Sequence, residues 1–230
     1  MNTLEKILPL IFQTLIWIPT RIIFLIFGRF KVVGLENLRG VDTSKGVIFA
    51  SNHAKSLDPI VLPAGLPFLS RFMPIFYTSR ERTFYHTKTW WEDILYSTKW
   101  FRAWGAHQVY VGKKDFDIAL SKHIEILLHG KSVLIFPEGG TTKDGNMRPF
   151  KAGVIHLTIR TGAPMIPIAM KGTYEASFKR FFRRKNKLTL VFGKPIYPHH
   201  LIGSKNKISI SEYKDGLVVL ESKIKELLNN

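Results

Sequence analysis

Short apolar runs alternate with longer stretches of helical periodicity, and this alternation constrains the fold more than any other feature of the sequence. The apolar runs cover 47–51, 132–136, 165–170 and 188–192, with a shorter one at 108–111. Apolar residues at helical spacing cover 90–104, 116–129, 153–160 and 211–228. Strands buried on both faces read as continuous apolar runs. The pattern therefore predicts an α/β fold, a single domain with a mixed, largely parallel sheet flanked by helices.

The N-terminal segment differs from the rest of the chain in composition. Residues 7–27 are apolar but interrupted by Pro9, Pro19 and Arg21, and only 7–20, which is 14 residues, is free of charge. A spanning helix needs about 20 apolar residues. We therefore predict a membrane-associating segment over 1–28, built of two short helices hinged near Pro19 in one leaflet, before a domain over 29–230. A buried core helix and a tilted span remain open.

The charge of the chain predicts an anionic partner. The formal net charge is +17 and the pI about 10.1, which suits nucleic acid, anionic lipid or phosphorylated substrates. The 17 Phe and 5 Trp favour a membrane surface, and no nucleic-acid module accompanies the charge, so we expect no nucleic acid as a partner. The basic, Phe-containing run 178–187 suits an anionic bilayer. The same run could instead bind the phosphates of coenzyme A or the acidic face of acyl carrier protein. A solvated loop without a partner is a further alternative.

A histidine and an aspartate lie five residues apart in the stretch SNHAKSLDP, directly after the apolar run 47–51. In α/β sheets ligands bind where strands end. A carboxylate from Asp58 on one ring nitrogen of His53 would fix the tautomer and make the other nitrogen a base. A purely structural hydrogen bond that caps the following helix fits these two residues equally well.

Several other chemistries are disfavoured. With no cysteine, the chain has no disulfide, thiol nucleophile or Cys-ligated zinc. The sequence contains no Gly-x-Ser-x-Gly, no P-loop and no His-Glu-x-x-His, which argues against a serine hydrolase, a P-loop nucleotide site and a zinc protease. We expect no metal site.

A second polar cluster follows the run 132–136. Glu138 is followed by Gly139, Gly140 and Thr141, and adjacent glycines let backbone amides face an anion. Further positive charge follows in the next ten residues, at Lys143, Arg148 and Lys151. Alone, the cluster is equally compatible with a strand and turn capped by a glutamate.

Together these motifs resemble the glycerophospholipid acyltransferases of the 1-acylglycerol-3-phosphate acyltransferase type. The His-x4-Asp motif at 53–58 is the first block, and a similar second block follows at 105–109. Phe-Pro-Glu-Gly at 136–139, with the similar segment 149–153 after it, is the third block, and 163–168 is the last. The resemblance covers about residues 30–195. Four ordered blocks are far more specific than any one of them.

The resemblance implies an O-acyltransferase of phospholipid biosynthesis. The family moves a fatty acyl group to a glycerolipid hydroxyl from a thioester, which is carried by coenzyme A or by acyl carrier protein. It uses no bound cofactor. By resemblance His53 is the general base and Asp58 orients it, whereas Glu138 and Gly139 shape the acceptor site. Backbone amides near His53 or Gly139 are candidates for stabilising an oxyanion. The active site would face the cytoplasm, where thioester donors are made.

The sequence departs from the family where an anionic acceptor would bind. The second block usually ends in arginine, and that position is Val111, followed by Lys113 and Lys114 as possible replacements. In the third block Thr141 stands where arginine is common, after Gly140 in place of threonine. Arginine recognises phosphate bidentately and lysine as a point charge.

These departures leave the acceptor open. We expect lysophosphatidic acid first, held by the glycines, Thr141 and the lysines at 113, 114, 143 and 151. Another lysophospholipid or an amino-acid lysolipid is the alternative. A lipid-binding protein without catalysis is a more distant one.

Overall fold

A seven-stranded sheet organises the structure. The computed structural model describes residues 1–80, 97–110, 112, 115–201 and 210–230. The strands are β1 (Lys31–Val33), β2 (Val47–Ser51), β3 (Ile75–Ser79), β4 (Ala106–Gln108), β5 (Ser132–Ile135), β6 (Met165–Lys171) and β7 (Thr189–Phe192). Their order across the sheet is β1-β7-β6-β2-β5-β3-β4.

Helices flank the sheet. They are α1 (Thr3–Ile26), α2 (Asp58–Gly65), α3 (Thr98–Ala103), α4 (Phe116–Ala119), α5 (Ser121–Leu128), α6 (Gly153–Thr161), α7 (Phe178–Phe182) and α8 (Ile210–Asn229). Short 3₁₀ turns follow β1 at Leu35–Leu38 and β7 at Pro198–His200. All neighbouring strands pair in parallel except β6 and β7. The predicted fold class is confirmed.

The core has two layers, one on each face of the sheet. Successive side chains of a strand point to opposite faces. In β2, Phe49 accordingly packs in the layer beneath α1 and α2, whereas Ile48 and Ala50 pack in the layer beneath α5, α6 and α8. Every residue of β2 is buried, which explains why its sequence shows no polar alternation.

The N-terminal segment is one helix, and the prediction of two helices hinged near Pro19 is wrong. The helix α1 continues through Pro9 and Pro19, and it starts with a capping box between Asn2 and Glu5. Each proline removes one backbone hydrogen bond. Side chains on both sides of Pro19 attach the helix to the domain, and this tertiary packing holds it continuous.

Three polar side chains one turn apart make that attachment. Gln13, Trp17 and Arg21 lie on the inner face of α1, and each donates to a backbone carbonyl of the segment from α2 to β3. The acceptors are the carbonyls of Ile75 for Gln13 (2.7 Å), of Leu66 for Trp17 (3.1 Å) and of Ala64 for Arg21 (2.6 Å). Gln13 also accepts from the amide of Ile75 at 2.9 Å.

Smaller corrections concern element boundaries. The helix predicted over 116–129 is divided into α4 and α5, because Leu120 leaves the helical region with φ −115° and ψ 13°. The strand predicted at 108–111 is β4, which ends at Gln108. Of the helix predicted over 90–104, the structure describes α3, and 90–96 lie outside the described residues. The boundary predicted at residue 28 stays a prediction.

Candidate active site

The candidate site lies along the edge of the sheet where β6, β2, β5 and β3 end. These four strands are parallel, so their carboxyl ends meet at one edge. The residues that follow them are Thr173 after β6, His53 after β2, Glu138 after β5 and Arg80 after β3. Topology therefore brings together groups that are up to 120 positions apart in the sequence.

His53 and Asp58 are in contact. The Nδ1 atom of His53 lies 2.9 Å from Oδ2 of Asp58, whose side chain is wholly buried at the first turn of α2. The same oxygen accepts the backbone amides of Ala54 at 2.6 Å and Lys55 at 2.9 Å. An ionised carboxylate only accepts hydrogen bonds, so Nδ1 carries the proton and Nε2 is left as the basic nitrogen.

The segment after β5 fixes His53 from the other side. The imidazole stacks on Phe136 with ring centroids 4.0 Å apart and an angle of 16° between the planes. The backbone amide of His53 donates to Oε1 of Glu138 at 2.8 Å, and its carbonyl accepts from Thr142 at 2.9 Å. The imidazole is thus held in one orientation while 16% of its side chain stays exposed.

Glu138 joins two segments of the site. It is 2% exposed, and its second oxygen accepts the backbone amide of Arg148 at 2.8 Å. Burial raises the pKa of the Glu138 carboxyl, and the hydrogen bonds from Arg148 and His53 oppose that rise. With each oxygen occupied by a backbone amide, Glu138 shapes the site by holding the loop after β5.

Three cationic side chains converge on the glycines after Glu138. We call Arg80, Arg148 and Lys151 the basic cluster. The Nε atom of Arg80 donates to the carbonyl of Gly139 at 2.9 Å. A Cβ added at Gly139, whose φ is +67°, would lie 2.6 Å from Nζ of Lys151. A Cβ added at Gly140 would collide with Arg80 and lie 3.0 Å from Nη1 of Arg148.

Arg80 is the site residue that the sequence did not reveal. Its strand, β3, reads IFYTS and lacks the continuous apolar character by which the other central strands were recognised. A single basic residue is recognised as a candidate site residue only when the strand that it follows has been predicted. The sequence signal that could have identified Arg80 is its position directly after the short run 75–79, which begins after Pro74.

The other predicted residues are placed less centrally. Thr141 and Lys143 lie on the exposed part of the loop after β5, and the Lys143 carbonyl accepts from the Tyr174 hydroxyl at 3.0 Å. Lys113 and Lys114, like Val111, lie outside the described residues. The amides of His53 and Gly139 already donate, to Glu138 and to the Phe136 carbonyl, so an oxyanion would need other donors.

Within the described ranges, no three His, Asp or Glu side chains converge in a way that could hold a metal ion. The chemistry that this edge of the sheet offers is an oriented imidazole beside a concentration of positive charge. The imidazole can take a proton from a hydroxyl, and the positive charges can bind an anionic molecule.

Comparison with curated sequences finds relatives that share one name. The chain is 29% identical over 147 residues to "1-acyl-sn-glycerol-3-phosphate acyltransferase BAT2, chloroplastic" of Brassica napus, covering 64% of this chain and 38% of that protein. It is 28% identical over 149 residues to "1-acyl-sn-glycerol-3-phosphate acyltransferase alpha" of Homo sapiens, covering 63% of this chain and 45% of that protein. The chain thus spans less than half the length of these two relatives.

The fold matches a solved structure. The crystal structure of the 1-acyl-sn-glycerophosphate (LPA) acyltransferase PlsC from Thermotoga maritima superposes with a TM-score of 0.64. The match covers 95% of this chain and 79% of that chain, at 21% sequence identity, and it therefore establishes the similarity of the fold.

The family itself follows from a sequence model. The model for the Acyltransferase family matches residues 29–171, which include His53, Asp58, Glu138 and the basic cluster. Because this match covers more than half of the chain, the protein belongs to the Acyltransferase family.

Proposed function

We propose that this protein transfers a fatty acyl group from an acyl thioester to the free hydroxyl of 1-acylglycerol-3-phosphate and so forms phosphatidic acid. The observation that carries the proposal is the 2.9 Å contact between His53 and a buried Asp58 at the edge of the sheet where the basic cluster lies. The names of the relatives from Brassica napus and Homo sapiens support the same activity.

The chemical step needs one general base and no covalent intermediate. Nε2 of His53 takes the proton of the acceptor hydroxyl while the oxygen attacks the thioester carbonyl. The tetrahedral intermediate then collapses, the C–S bond breaks, and the imidazolium returns the proton to the departing thiolate. Asp58 holds the imidazole in the required tautomer and stabilises the imidazolium. Because a thioester is already activated, positioning of the two substrates supplies much of the remaining rate.

The basic cluster favours an acceptor with a phosphomonoester. Arg80 and Arg148 each bring a guanidinium to Gly140, and Lys151 brings an ammonium to Gly139. A phosphomonoester carries between one and two negative charges near neutral pH, and guanidinium groups bind such oxygens with paired, charge-assisted hydrogen bonds. We infer that Arg80 and Arg148 take the place of the family arginines that are absent at Val111 and Thr141.

The donor is an acyl thioester on coenzyme A or acyl carrier protein, and the protein needs no bound cofactor. Both carriers are strongly anionic. Either one would be attracted to a chain with a net charge of +17.

We also propose that the protein associates with one leaflet of a membrane at its cytoplasmic face. By length and hydropathy, α1 qualifies as a candidate span, with 17% of its most apolar window buried. Its inner face, however, is hydrogen-bonded to the domain through Gln13, Trp17 and Arg21. The outer face exposes large apolar side chains such as Leu15 and Ile22, at 67% and 49%. An interfacial helix explains both faces.

The basic, Phe-containing segment around α7 is adjacent to this helix. The ring of Phe182 lies 5.0 Å from that of Phe27, just beyond α1, and Phe181 packs edge-on against Phe24 at 6.1 Å. Its cations would therefore meet the headgroups of the same leaflet. Each contributes about 1 kcal/mol at an anionic surface.

The test of the function is acyl transfer by purified protein to a panel of acceptors. The panel contains lysophosphatidic acid, lysophosphatidylglycerol, lysophosphatidylethanolamine and an amino-acid lysolipid, each offered with acyl-coenzyme A and with acyl carrier protein. Preference for lysophosphatidic acid supports the proposal. Preference for an acceptor with a head group contradicts the acceptor assignment, and binding of lipid without transfer to any acceptor contradicts catalysis.

A further inference from the structure

A cavity of about 220 Å³ lies beside His53, toward β6 and away from Arg80. In the sheet, β6 borders β2 on one side, whereas β5 and then β3 lie on the other. The cavity therefore lies on the side of His53 opposite to Arg80, and the loop after β5 borders it through Glu138, Thr142 and Met147. We call it the β6 pocket, and the lining residues that matter here are His53, Met147, Met170, Thr173, Tyr174 and Leu228.

The β6 pocket contains a polar group that nothing in the described chain satisfies. Thr173 is 1% exposed, and its Oγ1 has no hydrogen-bond partner within the ranges that the structure describes. Leaving a buried hydroxyl unpaired costs about 1–3 kcal/mol. Such a group in a cavity next to the proposed base points to a ligand that supplies the missing partner.

The rest of the lining is mixed, with apolar and aromatic side chains beside polar groups of Asn52, Glu138, Thr142, Asn146 and Lys171. Met147 and Met170 provide flexible, apolar walls, and Leu228 closes one side from the last turn of α8. The Tyr174 ring lies under Nζ of Lys55 at 5.4 Å, and its hydroxyl donates to the Lys143 carbonyl. A lining that combines apolar walls with hydrogen-bonding side chains is suited to a slender chain that carries a few polar groups.

The size of the pocket restricts the ligand further. Its volume corresponds to roughly seven water molecules at about 30 Å³ each. That is enough for part of a slender chain and too little for a nucleotide. The acyl donors share such a chain, the pantetheine arm, which has two amides and ends in the thioester sulfur.

We propose that the β6 pocket binds the pantetheine arm of the acyl donor. The inference rests on the proposed function and adds to it the place and side from which the donor enters. The Thr173 hydroxyl donates to an amide carbonyl of the arm, and the methionines and Leu228 pack along its methylene groups. The thioester carbonyl then lies at His53, and the acceptor phosphate is bound on the other side by the basic cluster.

The test uses a ligand that can bind but cannot react. S-octyl pantetheine is a thioether with no acyl group to transfer, and it contains the arm common to both carriers. Leu228→Trp narrows the pocket from the end of α8, where the side chain is half-buried. Val218→Trp, at a 66% exposed position of the same helix, is the matched control.

We expect calorimetry to show that Leu228→Trp weakens binding of S-octyl pantetheine at least tenfold and that Val218→Trp leaves it unchanged. Thr173→Val keeps the shape of the side chain and removes the hydroxyl, and we expect it to weaken binding by about three- to tenfold. In steady-state assays both pocket variants should raise KM for the donor and leave KM for the acceptor unchanged. Melting temperatures establish that the variants are folded.

Two results would overturn the inference. One is that the wild type does not bind S-octyl pantetheine, or that the wild type, Leu228→Trp and Thr173→Val bind it with equal affinity. The other is a rise in KM for the acceptor alone, which would assign the β6 pocket to the acceptor. Failure of the proposed function looks different, because the wild type would bind the thioether in a manner sensitive to Leu228 and yet transfer no acyl group.

Discussion

Asp58 is the residue on which the local geometry of the candidate site depends most. One of its oxygens accepts from His53, Ala54 and Lys55, so the same carboxylate orients the imidazole and closes the turn between β2 and α2. The other oxygen is buried with no partner in the described residues. The catalytic role proposed for this aspartate and its structural role are therefore combined in one carboxylate.

We expect Asp58→Asn to lower kcat by at least about a hundredfold, because an amide neither stabilises the imidazolium nor reliably selects the Nδ1–H tautomer. It should also lower the free energy of unfolding by about 1–3 kcal/mol, since the new NH₂ group is buried without an acceptor. Steady-state kinetics and urea titration measure the two effects. Asp215→Asn, an exposed change on α8, is the control, and a kcat near that of the wild type in Asp58→Asn would contradict the assigned role.

Arg148 tests the acceptor site at the same scale. We expect Arg148→Gln to raise KM for lysophosphatidic acid about tenfold, because one charge-assisted contact to phosphate is lost. The change should be smaller for a lysolipid whose phosphate carries a head group and therefore less charge. Arg39→Gln is the control, since Arg39 is exposed after β1, which ends at the opposite edge of the sheet. Equal KM values in Arg148→Gln and the wild type would remove Arg148 from the acceptor site.

Sequence alone predicted the residues of this site unevenly. His53, Asp58 and Glu138 could be identified because each follows a strand whose sequence is continuously apolar. Arg80 could not, because the preceding strand contains Tyr77 and Thr78, and a charge gains meaning only from the strand end at which it lies. Lys143 shows the converse, since its place in the motif did not bring it to the basic cluster.

At the scale of elements, α1 is fixed by its inner face and exposed on its outer face. The polar residues Gln13, Trp17 and Arg21 recur every four positions and hydrogen-bond to the domain. In the sequence Arg21 looks like an interruption of an apolar segment, whereas Gln13 and Trp17 do not stand out. In the structure Gln13, Trp17 and Arg21 define the face of α1 that packs on the domain. Hydropathy summed over a window does not distinguish this face from the exposed one.

We expect the double change Leu15→Glu with Ile22→Glu to abolish binding to vesicles of phosphatidylglycerol and phosphatidylcholine, because it places charges in the outer face of α1. The fold should be unaffected, since both side chains are exposed. Sedimentation with the vesicles at high salt measures binding. Val218→Glu is the control for an exposed apolar position elsewhere, and a double variant that sediments like the wild type would refute the interfacial role of α1.

At the scale of the whole molecule, two buried histidines make the free energy of unfolding depend on pH. His107 on β4 and His123 on α5 are 5% and 0% exposed. Burial lowers the pKa of each to about 4, and at His107 the charge of Lys122 contributes to that lowering. Both histidines are therefore neutral in the folded protein at pH values where the unfolded chain begins to bind protons.

The stability that they contribute is present above about pH 6.5 and is lost as the pH falls toward 4, because the unfolded state then binds more protons than the folded state. The loss is on the order of 3 kcal/mol for each histidine. We expect the free energy of unfolding, measured by urea titration, to fall across this window. A double variant with His107→Gln and His123→Gln should show a shallower fall, and an unchanged slope in that variant would contradict the assignment.

The fold class could be predicted at this scale because the central strands are buried on both faces. The order of the strands could not, since it depends on which apolar surfaces meet in three dimensions. The edge strand β1 was also missed, because three residues with an exposed, half-buried, exposed pattern carry too little signal. The donor pocket inferred beside His53 depends on this order, because Thr173 and Arg80 flank the base only in the folded sheet.

The most direct test of the central claim is the rate of acyl transfer to lysophosphatidic acid by His53→Ala, compared with the wild type and with His129→Ala. The Nδ1 atom of His129 lies 2.7 Å from the Glu125 carbonyl on α5. His129 precedes β5, whose other end leads to Glu138 and the candidate site. We predict that His53→Ala loses at least about a thousandfold in kcat with an unchanged melting curve, and that His129→Ala behaves as the wild type. Transfer by His53→Ala within tenfold of the wild type would contradict the assignment of His53 as the base.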